Sequence, residues 1–252
     1  MKIFTKVTLT LAGLSMLAAA PVMAEDAPSA DMTTAFYSQY IWRGFELSQD
    51  SLVIQPSLTV GYKGFSMNMW GNLDTEYYAN DTNEFNETDL TLGYDGSVGK
   101  LGYSLGYIYY ALDGLDSQEV YAGVSLDTLL SPSLTIYKDM DTFPSWYFLL
   151  GVSHGIALGG DVSLDLGASV SYLLSEDEAD YAERNGDKYK NFHDGMLSAA
   201  VSLPVGKYMS VTPEVNYVFP LSSEASDIME DSSVDGDDDS FIYGGVSVSF
   251  AF

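Results

Sequence analysis

The stretch "FIYGGVSVSFAF" (residues 241–252) alternates apolar with small or polar residues, carries no charge, and brings the chain to Phe252. Alternation with period two marks a strand with two unlike faces. Ile242, Val246, Val248, Phe250 and Phe252 fall on one face, and Tyr243, Gly245, Ser247, Ser249 and Ala251 on the other. The first face is a long oily stripe, and the fold depends on what covers it.

The same pattern recurs along the chain. Twelve alternating runs lie near residues 33–44, 51–62, 65–74, 87–95, 101–112, 118–127, 133–140, 145–155, 162–174, 190–203, 208–219 and 240–252. Most are long for strands of soluble proteins and match the ~9–11 residues that cross a bilayer at a tilt. One face of each is apolar, as in Leu52, Ile54, Leu58 and Val60, or Val162, Leu164, Leu166, Ala168 and Val170. A β-sandwich also alternates, so the connections must decide. They run long, short, long, short, and the three longest, all acidic ("DTEYYANDTNEFNETD", "SEDEADYAERNGDKYK" and "SSEASDIMEDSSVDGDDD"), fall on one side. That is the plan of an even-stranded, all-β transmembrane antiparallel up-and-down barrel of about twelve strands, with tight turns at one end and long loops at the other. A Greek-key sandwich has no such strict alternation.

Residues 1–24 read as a secretory signal: Lys2 and Lys6 precede a short apolar run, and Val22-Met23-Ala24 fits a small-residue cleavage site. The apolar run is too short for about 30 Å of hydrocarbon. Residues 25–31 are expected to be a linker and 32–252 the barrel. Without the signal, 8 of the 10 Lys and Arg remain against 36 Asp and Glu, a formal charge of −28. Such a field repels phosphate, so a nucleic-acid partner is excluded. Cysteine is absent, so pairing of the backbone must hold the exported chain. The aromatics are 19 Tyr, 12 Phe and 3 Trp, and those near strand ends, including Tyr40, Trp42, Tyr62, Tyr94, Trp146 and Phe219, suit interfacial girdles.

In hydrocarbon every backbone N–H and C=O needs a partner, so a spanning sheet must close, and its last strand must pair with its first. The stretch 241–252 is the expected closing strand. Val248, Phe250 and Phe252 resemble the C-terminal signature by which bacterial outer-membrane proteins are recognised during assembly. The resemblance implies an outer-membrane location, with lipids, lipopolysaccharide and the barrel assembly machinery as partners. The segment "SQYIWRGFELSQDSLVIQPSLTVGYKGFSMNMWGN" is similar to the start of the TorF-like porins, in which an aromatic-Arg-Gly stretch precedes a strand ending near Gly-Tyr. That likeness covers residues 36–74, implies a pore and fixes no ligand.

Twelve strands enclose a lumen between that of filled eight-stranded barrels and water-filled sixteen-stranded porins. The polar faces would line it with Arg43, Trp70, Asn72, Asp74, Asp89, Glu119, Tyr121, Asp165, Asp194 and Glu214. Arg43 is then a lone cation, either the counter-ion of Asp74 and Asp89 or part of a solute-selecting constriction. Trp70 either narrows the lumen or fills it. An acidic lining favours cations or neutral solutes over anions. The expected function is therefore a passive diffusion channel for small solutes. Its rivals are a plugged barrel that braces the membrane or displays its loops for adhesion, and a lipid hydrolase.

The hydrolase reading is weak. On one strand face, a Ser activated by His must lie two residues from it, yet His154 has Val152 and Ile156 there and His193 has Asn191 and Gly195. His193 paired with Asp74 or Asp89 is an equally weak protease-like combination. No cofactor motif stands out. Asp235, Asp237 and Asp239 offer hard oxygen ligands for a divalent cation such as Ca²⁺, without the spaced glycine and glutamate of an EF-hand. Pro56 and Pro213 fall within strands, where each removes a ladder hydrogen bond, and either a local bulge or a partner carbonyl turned to water is expected at each.

Overall fold

The computed structural model describes residues 27–48, 51–77, 82–112 and 114–252. The signal call on residues 1–24 lies outside them. The elements are β1 (Ser29–Tyr37), β2 (Ile41–Trp42), β3 (Phe45–Glu46), β4 (Val53–Tyr62), β5 (Phe65–Tyr77), β6 (Thr82–Val98), β7 (Leu101–Leu112) and β8 (Leu115–Leu126). They continue with β9 (Ser133–Asp139), β10 (Ser145–Gly159), β11 (Val162–Ser175), β12 (Lys190–Val205), β13 (Met209–Pro220), α1 (Ser223–Ser232) and β14 (Phe241–Ala251). Twelve strands, β1 and β4 to β14, form one closed antiparallel barrel; β2 and β3 are a separate hairpin.

β14 is the closing strand. It pairs with β1 from Asp31↔Ala251 to Tyr37↔Gly245, and Phe252 and Ala30 exchange both backbone hydrogen bonds. Its faces lie as the alternation requires, with Tyr243, Ser247 and Ser249 buried and Ile242 72% exposed. Val248 and Phe250 share the outward face, and Phe252 stacks on Tyr208.

The distribution of burial is inverted relative to a water-soluble protein. Leu58, Met69, Leu92, Leu105, Val124, Leu150, Leu197 and Val215 stand exposed around the wall, while Gln55, Asn72, Asp74, Glu119, Asp139 and Asp194 are buried within. Leaving so much aliphatic surface in water would oppose folding, and hydrocarbon removes that penalty. Aromatic clusters mark both rims: Phe65 with Tyr94 and Tyr103 at the turn end, and Trp146, Phe148, Tyr172 and Phe192 at the loop end.

Several sequence expectations need correction. The first strand spans 29–37 rather than 33–44, so Ser29–Asp31 belong to the wall and not to a linker. Tyr40 and Trp42 lie inside the barrel rather than in a girdle: Tyr40 is buried in the luminal core and Trp42 packs against it. The first acidic stretch is mostly strand, because β5 and β6 run on as a tall ribbon with Asp74 opposite Glu84. The third contains α1, started by the Ser222 side chain accepting from the Ala225 amide at 3.0 Å. Neither proline makes a bulge. Pro56 stays in register with Thr34 and Pro213 with Val246, and the ladders facing Gly71–Asn72 and Val201–Ser202 skip the proline positions without slipping. A register slip would turn every later side chain to the wrong face, so a lost hydrogen bond costs less.

A bulge does occur at His193-Asp194, where the pairs Val170↔Gly195 and Tyr172↔Phe192 set three steps of β12 against two of β11. It turns both side chains inward, and both are buried.

Candidate functional site

The loop after β1 turns back into the barrel. Ile41-Trp42-Arg43-Gly44-Phe45-Glu46 forms a two-residue hairpin, with Trp42 opposite Phe45 and positive φ at both Arg43 (50°) and Gly44 (84°). This is the turn whose twist suits a tight hairpin, and glycine meets its second position without strain. A side chain at Gly44 would also press on Met229 of α1, 3.1 Å from its Cβ position.

The Arg43 side chain reaches across the lumen. Its Nη1 and Nη2 donate to Oε1 and Oε2 of Glu119 on β8 at 2.7 and 2.8 Å, a fork-to-fork pair. The Tyr110 hydroxyl on β7 donates to Glu119 Oε2 at 2.7 Å. Three rings surround the guanidinium, those of Trp42, Tyr137 and Tyr147, with centroids 4.5, 4.7 and 4.4 Å from Cζ. Burial is the largest single influence on Arg43 and opposes its charge, but the Glu119 carboxylate and its hydrogen bond, together with Tyr110 and Tyr147, outweigh it and hold the guanidinium pKa above its ordinary value. On the far side His193 Nε2 meets the Arg43 carbonyl at 2.9 Å, and its Nδ1 meets the Tyr189 hydroxyl at 2.9 Å. Arg43 therefore does not serve as the counter-ion of Asp74 or Asp89.

The other candidate residues also face the lumen. Asp74 accepts from the Ser51 hydroxyl at 2.5 Å, and Asn72 bridges Gln55 and Asn86. Asp194 accepts from Tyr147 and Ser171. Asp165 accepts from Ser163, and Glu214 from Asn216. Trp70 packs on Tyr40, centroids 5.7 Å apart, so it fills space beside the inserted loop. Tyr121 lies beside Tyr137 and over Gly106, where a Cβ would come within 2.3 Å of its ring. Asp89 Oδ1 and Asp74 Oδ2 are buried without a hydrogen-bond partner among the described residues. The structure thus gathers Arg43, Glu119 and Tyr121 at the hairpin, with Asp194 beneath it through Tyr147. Asp165 and Glu214 sit on other parts of the wall.

Tyr110, Tyr137, Tyr147 and His193 complete the site; none was among the lumen-lining candidates, and His193 was weighed only as part of a protease-like combination. For the first three, the signal was an aromatic on the polar face of its strand. The bulge hid His193, because no alternation rule places two neighbouring residues on one side.

α1 and the neighbouring loop cap the hairpin. Ala225 and Met229 are buried, and Glu46 accepts from the Val234 amide at 2.7 Å. Arg184, in the loop between β11 and β12, donates to Asp227, Glu230 and Asp231 of α1. A cation at this helix C-terminus also suits the helix dipole. The Arg184 hydrogen bond holds the Asp231 carboxyl below its ordinary pKa, so this tie is complete above the usual carboxylate range and lost as pH falls through the lowered value. All these groups are exposed. Arg184→Ala should therefore leave global stability unchanged while speeding protease cleavage between residues 176 and 189, as limited proteolysis would read.

The histidines weighed for the rival chemistries have other partners. Both ring nitrogens of His193 are taken by Tyr189 and Arg43, which leaves neither for Asp74 or Asp89, and His154 Nδ1 meets the Leu129 carbonyl at 2.8 Å. Asp239 accepts from Ser226, and among the described residues no three acidic or histidine side chains converge as a metal site.

Residues 24–136 match a family described as "Bacterial protein of unknown function (Gcw_chp)". The match spans the stretch that resembles the TorF-like porins but carries a different name. No curated protein matches. Among solved structures, the NanC porin superposes with a TM-score of 0.58 at 13% identity, covering 88% of this chain and 98% of that one. A bacterial polysaccharide outer membrane secretin gives 0.46 at 7% identity, covering 90% and 99%. A loop-deletion mutant of OmpT, an outer membrane protein of Vibrio cholerae, gives 0.40 at 7% identity, covering 90% and 98%. At such identities a likeness speaks for the fold alone. The closed wall, the oily exterior and the NanC superposition together make this chain a twelve-stranded β-barrel of the bacterial outer-membrane type.

Proposed function

We propose that the barrel is a porin-like channel of the outer membrane for passive diffusion of small solutes, with a preference for cations or neutral molecules. The observation that carries this reading is the sign of the buried charge. Asp74, Glu87, Glu119, Asp139 and Asp194 are buried inward, and Arg43 is the only buried Lys or Arg among the described residues, already neutralised by Glu119. A low-dielectric wall focuses that negative potential on whatever enters. The narrowest zone in this reading is the level of the Arg43 hairpin. No role as an enzyme is proposed.

A plugged barrel is the second reading, favoured by one specific observation. The inserted loop and α1 bury Tyr40, Ile41, Phe45, Ala225 and Met229 in two apolar clusters with the wall, which fills the loop end. Planar bilayers in a salt gradient separate the two. The channel reading expects current with a reversal potential of cation-selective sign; chloride selectivity overturns the preference, and a silent membrane favours the plug. As partners we propose membrane lipid and lipopolysaccharide at the exterior, and the assembly machinery at Val248, Phe250 and Phe252. Divalent cations shared between the acidic loops and lipid phosphates would be a further, weak interaction.

A further inference from the structure

The Arg43 pocket divides into two parts with different owners. Trp42 and Arg43 belong to the inserted loop, whereas Tyr110, Glu119, Tyr137 and Tyr147 belong to four consecutive strands of the wall, β7 to β10. Without Arg43, the described residues of the wall supply Glu119 with a single side-chain hydrogen bond, from the Tyr110 hydroxyl. Asp194 differs, because Tyr147 and Ser171 of the wall both donate to it. A carboxyl in so dry a place either takes up a proton or pairs with a cation, and both oxygens of Glu119 are placed for the second. The two tyrosine faces and the paired oxygens define its shape: flat, with two parallel N–H donors and a weakly hydrated charge. A compact ammonium or a metal ion would leave the fork unmatched. Nor is an ion pair the only means of holding a loop: Ile41 and Phe45 share the task by apolar burial, and a buried pair stabilises no better than well-packed apolar groups would in its place.

We propose that the β7–β10 wall is a binding site for guanidinium-bearing solutes, and that Arg43 is its tethered occupant. An alkylguanidinium entering the lumen competes with Arg43 for Glu119, Tyr137 and Tyr147, and its binding releases the hairpin from the wall. Delivery of the solute rests on the channel reading above; the site itself does not.

Chemical rescue tests it. Arg43→Asn vacates the site and suits the positive φ of the turn, because asparagine tolerates that region. The full-length variant in detergent should melt below wild type, and millimolar methylguanidinium should raise the midpoint saturably, recovering most of the loss. Equal concentrations of urea, potassium chloride or tetramethylammonium should not, and Arg43→Asn with Glu119→Gln should be insensitive to all four. No rescue, or rescue that persists without the Glu119 carboxylate, overturns the site. Should the variant fail to fold, wild type provides the reading. Agmatine should speed hydrogen exchange at the Leu47 amide, which the Tyr40 carbonyl holds at 2.8 Å, and unchanged exchange overturns the proposal. The two readings fail separately: rescue with a silent bilayer removes the channel and leaves the site, whereas current without rescue or exchange does the opposite.

Discussion

In planar bilayers, Glu119→Ala is expected to open far more often than wild type, by two to three orders of magnitude. The substitution leaves the Arg43 guanidinium buried among Trp42, Tyr137 and Tyr147 with no counter-charge. Breaking a buried pair by removing one partner costs about 3–5 kcal/mol. A wall strand could not escape that cost without breaking its ladders, but the hairpin can, because β2 and β3 form a sheet of their own that pairs with no wall strand. Withdrawal sacrifices the burial of Ile41 and Phe45, roughly 1.5–3 kcal/mol each. That opposing term explains why the wild-type hairpin stays in place, and the substitution removes most of its advantage. Each ~1.4 kcal/mol is a tenfold change in population, which gives the expected factor. Glu119→Gln should fall between, since its amide oxygen still accepts one hydrogen bond. Adding Arg43→Gln to Glu119→Gln should disturb the barrel less than the two single effects together, because the double variant buries no charge. An unchanged opening rate in Glu119→Ala would mean that the hairpin is held by its apolar anchors and that Arg43 does not govern the lumen.

The legibility of this chain follows from which forces act locally. Wall strands were readable because lipid outside and polar groups inside impose opposite demands on successive residues, and residues 241–252 meet both at every step. The inserted hairpin was not read as one, because Tyr40-Ile41-Trp42-Arg43 also alternates and continued the strand pattern past Tyr37. The cue was nevertheless present: Arg43-Gly44 between Trp42 and Phe45 is a two-residue turn signal, and glycine there argues for a reversal. α1 was hidden because charge dominates "SEASDIMEDS" and its apolar residues are few, and because its stability comes from burying Ala225 and Met229 against a loop that had been placed elsewhere. The partner of Arg43 was out of reach for a different reason. Glu119 and Arg43 are 76 residues apart, and their meeting depends on the hairpin turning inward, which local pattern does not encode. Asp74 and Asp89 were the nearer choices in sequence, yet Asp74 is held by Ser51, and the Arg43 fork is filled by both oxygens of Glu119.

The largest loss of all is expected at the seam, from Gly245→Val. Gly245 sits in β14 opposite Tyr37 of β1 and Glu214 of β13, so both neighbours fix its position. A Cβ there would lie 1.9 Å from the Phe36 carbonyl oxygen and 2.7 Å from the Tyr37 ring. The ring could rotate away, but the carbonyl belongs to the ladder that closes the barrel and cannot move without breaking it. Slippage offers no relief, since a shift of one residue would turn Ile242 and Val248 into the lumen and Tyr243 and Ser247 into lipid. An opened seam in hydrocarbon would leave a row of unpaired N–H and C=O groups at several kcal/mol each, more than the whole stability of an ordinary domain. Gly245→Val is therefore expected to give no folded, heat-modifiable band in cold detergent electrophoresis and to be digested by protease. Val246→Ala, one residue along on the lipid face, should fold and migrate as wild type. The contrast isolates the seam from general damage to β14, because the two substitutions differ mainly in whether the altered side chain meets lipid or the backbone of the first strand.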